Sequence, residues 1–140
     1  LSSIVEALNE IHKKCLVIMP LHPRTQAITK KNNIKIEANV IDPVGYMQMI
    51  FMLKKCSMVI TDSGGLQKEA FFFSKPCITM RDETEWVELI SGGYNLITGR
   101  ERNKIVDGYM LMKDKVIEDK NNLYGGGDAA KKIVSEILKH

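Results

Sequence analysis

Cysteine is scarce in this chain. The three present, Cys15, Cys56 and Cys77, form no CxxC pair and are odd in number, so neither a disulfide framework nor a zinc site is indicated. They are expected to be buried, reduced thiols that behave as small hydrophobes, in keeping with a cytoplasmic protein. Long apolar runs are missing, and none approaches the length of a membrane span. No charged segment followed by an apolar core marks a signal peptide. An excess of one charge is missing too: 20 Lys and Arg against 17 Asp and Glu leave a net charge of +3, which gives no ground for a nucleic-acid binder. There is no G-x-G-x-x-G and no Walker A loop, so NAD and ATP are not indicated. Ser63 lacks the G-x-S-x-G elbow, which argues against a serine hydrolase. An initiator Met is absent as well. The chain opens at Leu1, already inside a helical pattern, and is expected to be a piece of a longer protein.

What is there is a globular composition. Of 140 residues, 44% are hydrophobic and 26% charged, enough for one domain with its own core. Ile4, Val5, Leu8 and Ile11 recur at helical spacing and predict a helix over residues 2–14. Residues 16–19 read as a buried strand that ends in a loop at Pro20 and Pro23. Ile34-Lys35-Ile36, leading to Val40-Ile41, is a second strand region. Asp42 is the expected cap of a helix from Tyr46 to Lys55. Within that helix Met47, Met49 and Met52 are expected to pack in the core. Further strands are expected at 57–61, 76–80 and 94–98. Helices are expected at 66–73, at 84–90 with Thr84 as its cap, at 105–112 and at 128–139. Residues 113–120 are polar, and residues 121–127, with three glycines in a row, are the least regular part. His12 lies in a Lys-rich helix and His140 is terminal, which leaves His22 as the only histidine placed for a site. Strands alternating with helices, each strand short and apolar, predict an α/β fold with a doubly wound parallel sheet.

Three segments at the carboxyl ends of strands, where such folds bind ligands, carry chemistry. Thr61-Asp62-Ser63-Gly64-Gly65 passes from strand to helix. Adjacent glycines admit a ligand close to the backbone, and the helix start offers free N–H groups and the positive end of the dipole, both suited to phosphate. Ser63 adds a hydroxyl. Glu69, further along the helix, is suited to accept hydrogen bonds from sugar hydroxyls. The alternative is a plain turn with a serine cap. Pro20-Leu21-His22-Pro23-Arg24 places His22 and Arg24 where they would meet a diphosphate, or forms only a polar loop. Residues 80–88 carry Arg81, four acidic residues and the only Trp. There Glu83 and Glu85 read best as first-turn residues of a helix.

Together the segments Pro20-Leu21-His22-Pro23-Arg24-Thr25, Ile41-Asp42-Pro43-Val44-Gly45-Tyr46, Thr61 to Ala70, Pro76 to Glu88 and Tyr124 to Ala130 resemble the C-terminal half of the non-hydrolysing UDP-N-acetylglucosamine 2-epimerases. The resemblance implies a Rossmann-like domain, the C-terminal half of a two-domain glycosyltransferase-B-type fold. Residues 1–140 would be its UDP-binding domain, with the N-terminal domain absent from this chain. It implies reversible epimerisation at C2, UDP-GlcNAc to UDP-ManNAc, by elimination of UDP to a 2-acetamidoglucal and its re-addition. No cofactor and no metal is needed. Ser63, Gly64 and Gly65 match the family's diphosphate turn and Glu69 its ribose-binding carboxylate. Met49 falls where relatives set a residue, often aromatic, against uracil. Arg81, Thr84 and Glu85 match the segment bordering the nucleotide, and His22 a position tied to a second, activating UDP-sugar. Lys68 stands where many members carry an acidic residue. The family's catalytic carboxylates lie in the other domain, so no catalytic residue is expected here. The full-length protein is expected to bind a UDP-sugar, with no nucleic-acid or membrane partner, and to form a possible homodimer. Two alternatives are an epimerase for a modified sugar such as a UDP-diacetamido-uronate, and a glycosyltransferase-B-type UDP-sugar transferase. A non-catalytic nucleotide-binding module is a third class.

Overall fold

The computed structural model describes residues 1–119 and 122–139. Along it run α1 (Ser2–His12), β1 (Ile18–Pro20), α2 (Pro23–Lys31), β2 (Asn39–Ile41), α3 (Tyr46–Lys55), β3 (Val59–Thr61), α4 (Gly64–Phe72), β4 (Cys77–Thr79), α5 (Val87–Ser91), β5 (Asn95–Ile97), α6 (Arg102–Met112) and α7 (Ala129–Ile137). Every strand pair among the described residues is parallel. β1 pairs with β2, and β3, β4 and β5 form a three-stranded ladder in that order, with Ile60, Ile78 and Leu96 in one row. Three expectations touch residues outside the described ones: the end of the polar stretch at Lys120, the start of the glycine-rich loop at Asn121, and His140.

The double winding is visible in single strands. Successive side chains of a strand point to opposite faces. Val59 and Cys77 join Leu53 of α3 and Ala70 of α4. Their neighbours Ile60 and Ile78 turn the other way, into a cluster with Ala7 and Ile11 of α1 and Ile105, Tyr109 and Met112 of α6. Helices thus cover both faces, which is why these strands read as unbroken apolar runs. At Gly108 a Cβ would stand 2.8 Å from Thr98 Cγ2 and 3.2 Å from Leu96 Cδ2, so the bare backbone there lets α6 lie close on the sheet.

The sequence pattern shows no helix between β1 and β2, yet α2 is there. Only Thr29 of α2 is buried, so no apolar stripe announces it. Pro23 sits in its first turn, where a missing N–H is harmless, and His22 Nδ1 accepts the Arg24 N–H at 3.2 Å as the cap. Ile34-Lys35-Ile36 is not in a strand; β2 is confined to Asn39–Ile41. Helix α3 is capped by Gly45, whose N–H donates to Gln48 Oε1 at 2.8 Å, and not by Asp42. Met47 is exposed and lies outside the core expected for it. Cys77 is buried, and burial pushes its thiol up to about 12, but Cys15 and Cys56 are only half-buried. Helix α7 is amphipathic, yet buries none of its residues. No helix among the described residues is long and apolar enough to cross a membrane.

Candidate functional site

β3 ends at Thr61, whose Oγ1 accepts the Ser63 N–H at 3.0 Å and bends the chain out of the sheet. Ser63 then occupies the cap position of α4 with extended backbone, but its side chain makes no capping bond. The plain serine-capped turn is therefore not what forms. The first N–H groups of α4 lack a side-chain cap at the positive end of the helix, the arrangement that favours an anion. The two glycines have different surroundings. A Cβ at Gly65 would meet nothing within 4 Å, whereas one at Gly64 would stand 2.1 Å from Glu85 Oε1 and 3.6 Å from Arg81 Nη1. Gly64 thus lets the β4–α5 loop close against the turn, and Gly65 faces open space.

That loop is built from polar contacts. Arg81 Nη1 donates to Glu85 Oε2 at 3.1 Å. Thr84 Oγ1 donates to Gln67 Oε1 at 2.6 Å and accepts the Trp86 N–H at 3.2 Å. The Trp86 indole N–H donates to the Gly64 carbonyl at 2.9 Å. Beneath, fully buried Gln67 accepts from Asn95 Nδ2 at 3.0 Å, and Asn95 bonds Thr79 at the end of β4. The Gln67 amide nitrogen is buried without a partner among the described residues. Three expectations change here. Thr84 is not a helix cap, and Glu83 and Glu85 are not in the first turn of α5, which begins only at Val87. The Thr84 hydroxyl and the Trp86 indole are committed to α4, and those bonds hold residues 84–86 in a loop. The Gln67–Asn95–Thr79 network escaped the sequence reading. Its signal is polar residues at core spacing: Gln67 three residues before Ala70 on the helix, and Thr79 two after Cys77 on the strand.

Ser63, Gly64, Gly65, Arg81, Thr84 and Glu85 therefore gather at the ends of β3 and β4. Glu69 lies on the same helix, half-buried, and its carboxylate makes no hydrogen bond or ion pair to a described residue. Met49 is half-buried against the cluster of Leu53 and Val59, against which Leu66 of α4 also packs. His22 stands apart at the end of β1, exposed, and no described hydrogen bond or ion pair joins it to the Ser63 turn. Among the described residues no three His, Cys, Asp or Glu side chains gather as a metal site requires.

On the outer side of the turn the Lys68 ammonium lies 4.3 Å from the centroid of the Trp86 ring and 4.1 Å from that of Tyr124. The Tyr124 hydroxyl donates to Glu88 Oε1 at 2.6 Å. This bond is the main cause holding the Glu88 carboxyl below its ordinary value of 4.5, while burial above all, and then Glu88, push the Tyr124 phenol up. A carboxyl depressed by folding stabilises the fold above its unfolded value and loses that contribution as pH falls through the folded one. In Tyr124→Phe the Glu88 midpoint should rise toward 4.5 in a carboxyl NMR titration, and the acid-side loss of stability linked to this pair should shrink.

The family model described as UDP-N-acetylglucosamine 2-epimerase matches residues 1–138. The chain is 51% identical over 140 residues to the UDP-2,3-diacetamido-2,3-dideoxy-D-glucuronate 2-epimerase of Pseudomonas aeruginosa, covering 99% of this chain and 40% of that protein. It is 36% identical over 143 residues to the UDP-N-acetylglucosamine 2-epimerase of Methanocaldococcus jannaschii, covering 96% of this chain and 38% of that one. The crystal structure of the M. jannaschii UDP-GlcNAc 2-epimerase in complex with UDP-GlcNAc and UDP superposes with a TM-score of 0.85 at 32% identity, covering 99% of this chain and 40% of the other. The chain thus spans about 40% of the length of the relatives it matches.

Proposed function

Since this chain belongs to the UDP-N-acetylglucosamine 2-epimerase family, we propose that it is the C-terminal, UDP-holding domain of an enzyme that inverts C2 of a UDP-linked 2-acetamido sugar. The observation that carries this reading is the uncapped start of α4 behind Ser63-Gly64-Gly65, closed on one side by the Arg81–Glu85 loop. The diphosphate lies on the free N–H groups of α4, with the Ser63 hydroxyl as a further donor and Arg81 within reach of Gly64. Glu69 takes the ribose hydroxyls, Met49 lies toward the base, and Thr84 and Glu85 border the nucleotide. The chemistry explains why the anion site matters. When the C1–O bond breaks, UDP leaves with growing negative charge on its phosphate oxygen, and donors fixed at the helix start stabilise that charge. The acid and base that move the C2 proton belong to the preceding domain of the full-length protein. His22 is assigned to the second, activating UDP-sugar.

The finer substrate has two readings. UDP-GlcNAc is the first. A UDP-diacetamido-uronate is the second, favoured by 51% identity to an enzyme named for such a sugar against 36% to one named for UDP-GlcNAc. Turnover of both by the full-length protein, followed by proton NMR of the anomeric signals, separates them. If neither is epimerised, the activity assignment fails. In the same preparation UDP should shift the backbone amides of residues 63–69 in an NMR titration. Unchanged amides there would remove the site. The chain by itself should show no turnover, and measurable epimerisation by it would place the acid and base within these 140 residues.

A further inference from the structure

Among the described residues, the Lys68 cluster is a group of charged and aromatic side chains beside the site to which the proposed function gives no role. Its cation lies over two rings, 4.3 Å from the centroid of Trp86 and 4.1 Å from that of Tyr124. Each ring is tied elsewhere. Trp86 donates its indole N–H to the carbonyl of Gly64, the first residue of α4. Tyr124 donates to Glu88 and packs against Phe71 and Phe72, both ring centroids at 5.5 Å. Helix α4 thus touches the same indole twice: through its first carbonyl and, one turn later, through Lys68. An indole held at both points fixes the direction of the Gly64 peptide, and with it the N–H groups on which an anion at this turn depends. Tyr124 gives the ammonium a second ring, and Glu88 balances its charge.

We propose that Lys68 is a positioning residue for nucleotide binding: in contact with the rings of both Trp86 and Tyr124, it holds the indole that sets the phosphate turn. This rests on the reading of that turn as the UDP site. Glu69 faces the nucleotide, whereas its neighbour Lys68 acts only through Trp86.

The test uses UDP as the probe and the full-length protein. Lys68→Met keeps the alkyl chain and removes the charge. It should raise the Kd of UDP about 3- to 30-fold, the range that loss of a cation–π contact allows, and raise KM for the UDP-sugar more than it lowers kcat. It should also move the Trp86 indole N–H resonance. Lys68→Arg should bring Kd back within about twofold, because a guanidinium stacks on the same rings. Trp86→Phe keeps a ring face but loses the bond to Gly64. It should weaken UDP by itself and make Lys68→Met cost little more, so that the two effects fall short of additive. Wild-type affinity in Lys68→Met, additive effects in the double variant, or no recovery in Lys68→Arg would each overturn the proposal and leave the UDP site standing. Absence of UDP binding to the wild-type protein would instead remove the reading on which it rests.

Discussion

Glu69→Ala should weaken UDP binding by roughly 10- to 150-fold, the equivalent of ~1.5–3 kcal/mol for hydrogen bonds to a charged partner. Position is the first reason. Residues four apart share a helix face, so Glu69 lies one turn beyond Gly65, about 6 Å along the axis. A diphosphate at the proposed site on the helix start would place its ribose toward this carboxylate. Availability is the second. Glu69 is half-buried and its carboxylate holds no hydrogen bond or ion pair to a described residue, so the carboxylate oxygens are not committed to the fold. Calorimetric titration of UDP into the full-length variant measures the loss. Glu69→Gln keeps one acceptor oxygen and should fall between the two. Wild-type affinity in Glu69→Ala would take Glu69 out of the site.

Ile78→Ala should destabilise the fold by ~2–5 kcal/mol, read as a lower urea midpoint at unchanged slope. Ile78 is the middle residue of the middle strand and is fully buried. It sits among Ala7, Ile11, Ile105, Tyr109 and Met112, from the two helices that cover this face of the sheet, with Ile60 and Leu96 of the flanking strands packed against the same cluster. Truncation opens a cavity that rigid strand neighbours on both sides cannot fill. Val116→Ala, at a side chain 77% exposed, should change the midpoint little and serves as the control.

The sheet was legible where composition and boundary agreed. Pro76 and Arg81 bracket an apolar run, and β4 falls inside it; the Asp62-Ser63-Gly64-Gly65 break marks the passage from β3 to α4. Helix α2 was not legible, because it buries one threonine and is held by a proline and a histidine cap rather than by an apolar stripe. The same contrast runs through the site. Ser63, Gly64 and Gly65 declare themselves by residue type, since a tight turn into a helix needs them. Thr84 and Glu85 read as a helix start by every local rule. They lie in a loop because Gln67, seventeen residues earlier, and the Gly64 carbonyl claim Thr84 and Trp86. Contacts of that span leave no periodic trace in a sequence. Lys68 shows the same effect: a lysine beside a helix's buried positions reads as solvated until the two rings near it are seen.

The ladder under the turn is evenly spaced along the chain. Val59 pairs with Cys77 and Cys77 with Asn95, eighteen residues apart each time, and Ile18 pairs with Asn39 twenty-one apart. Loop-closure entropy depends only weakly on length, and near-equal loops carry near-equal costs. No strand must therefore wait for a distant partner, which for a parallel sheet is an unusually local route to assembly. The turn at Ser63 lies within the first of the two closures that build the three-stranded ladder. The strand pairing that frames it joins residues eighteen apart, whereas Thr84, Trp86 and Tyr124 close on the turn from farther along the chain.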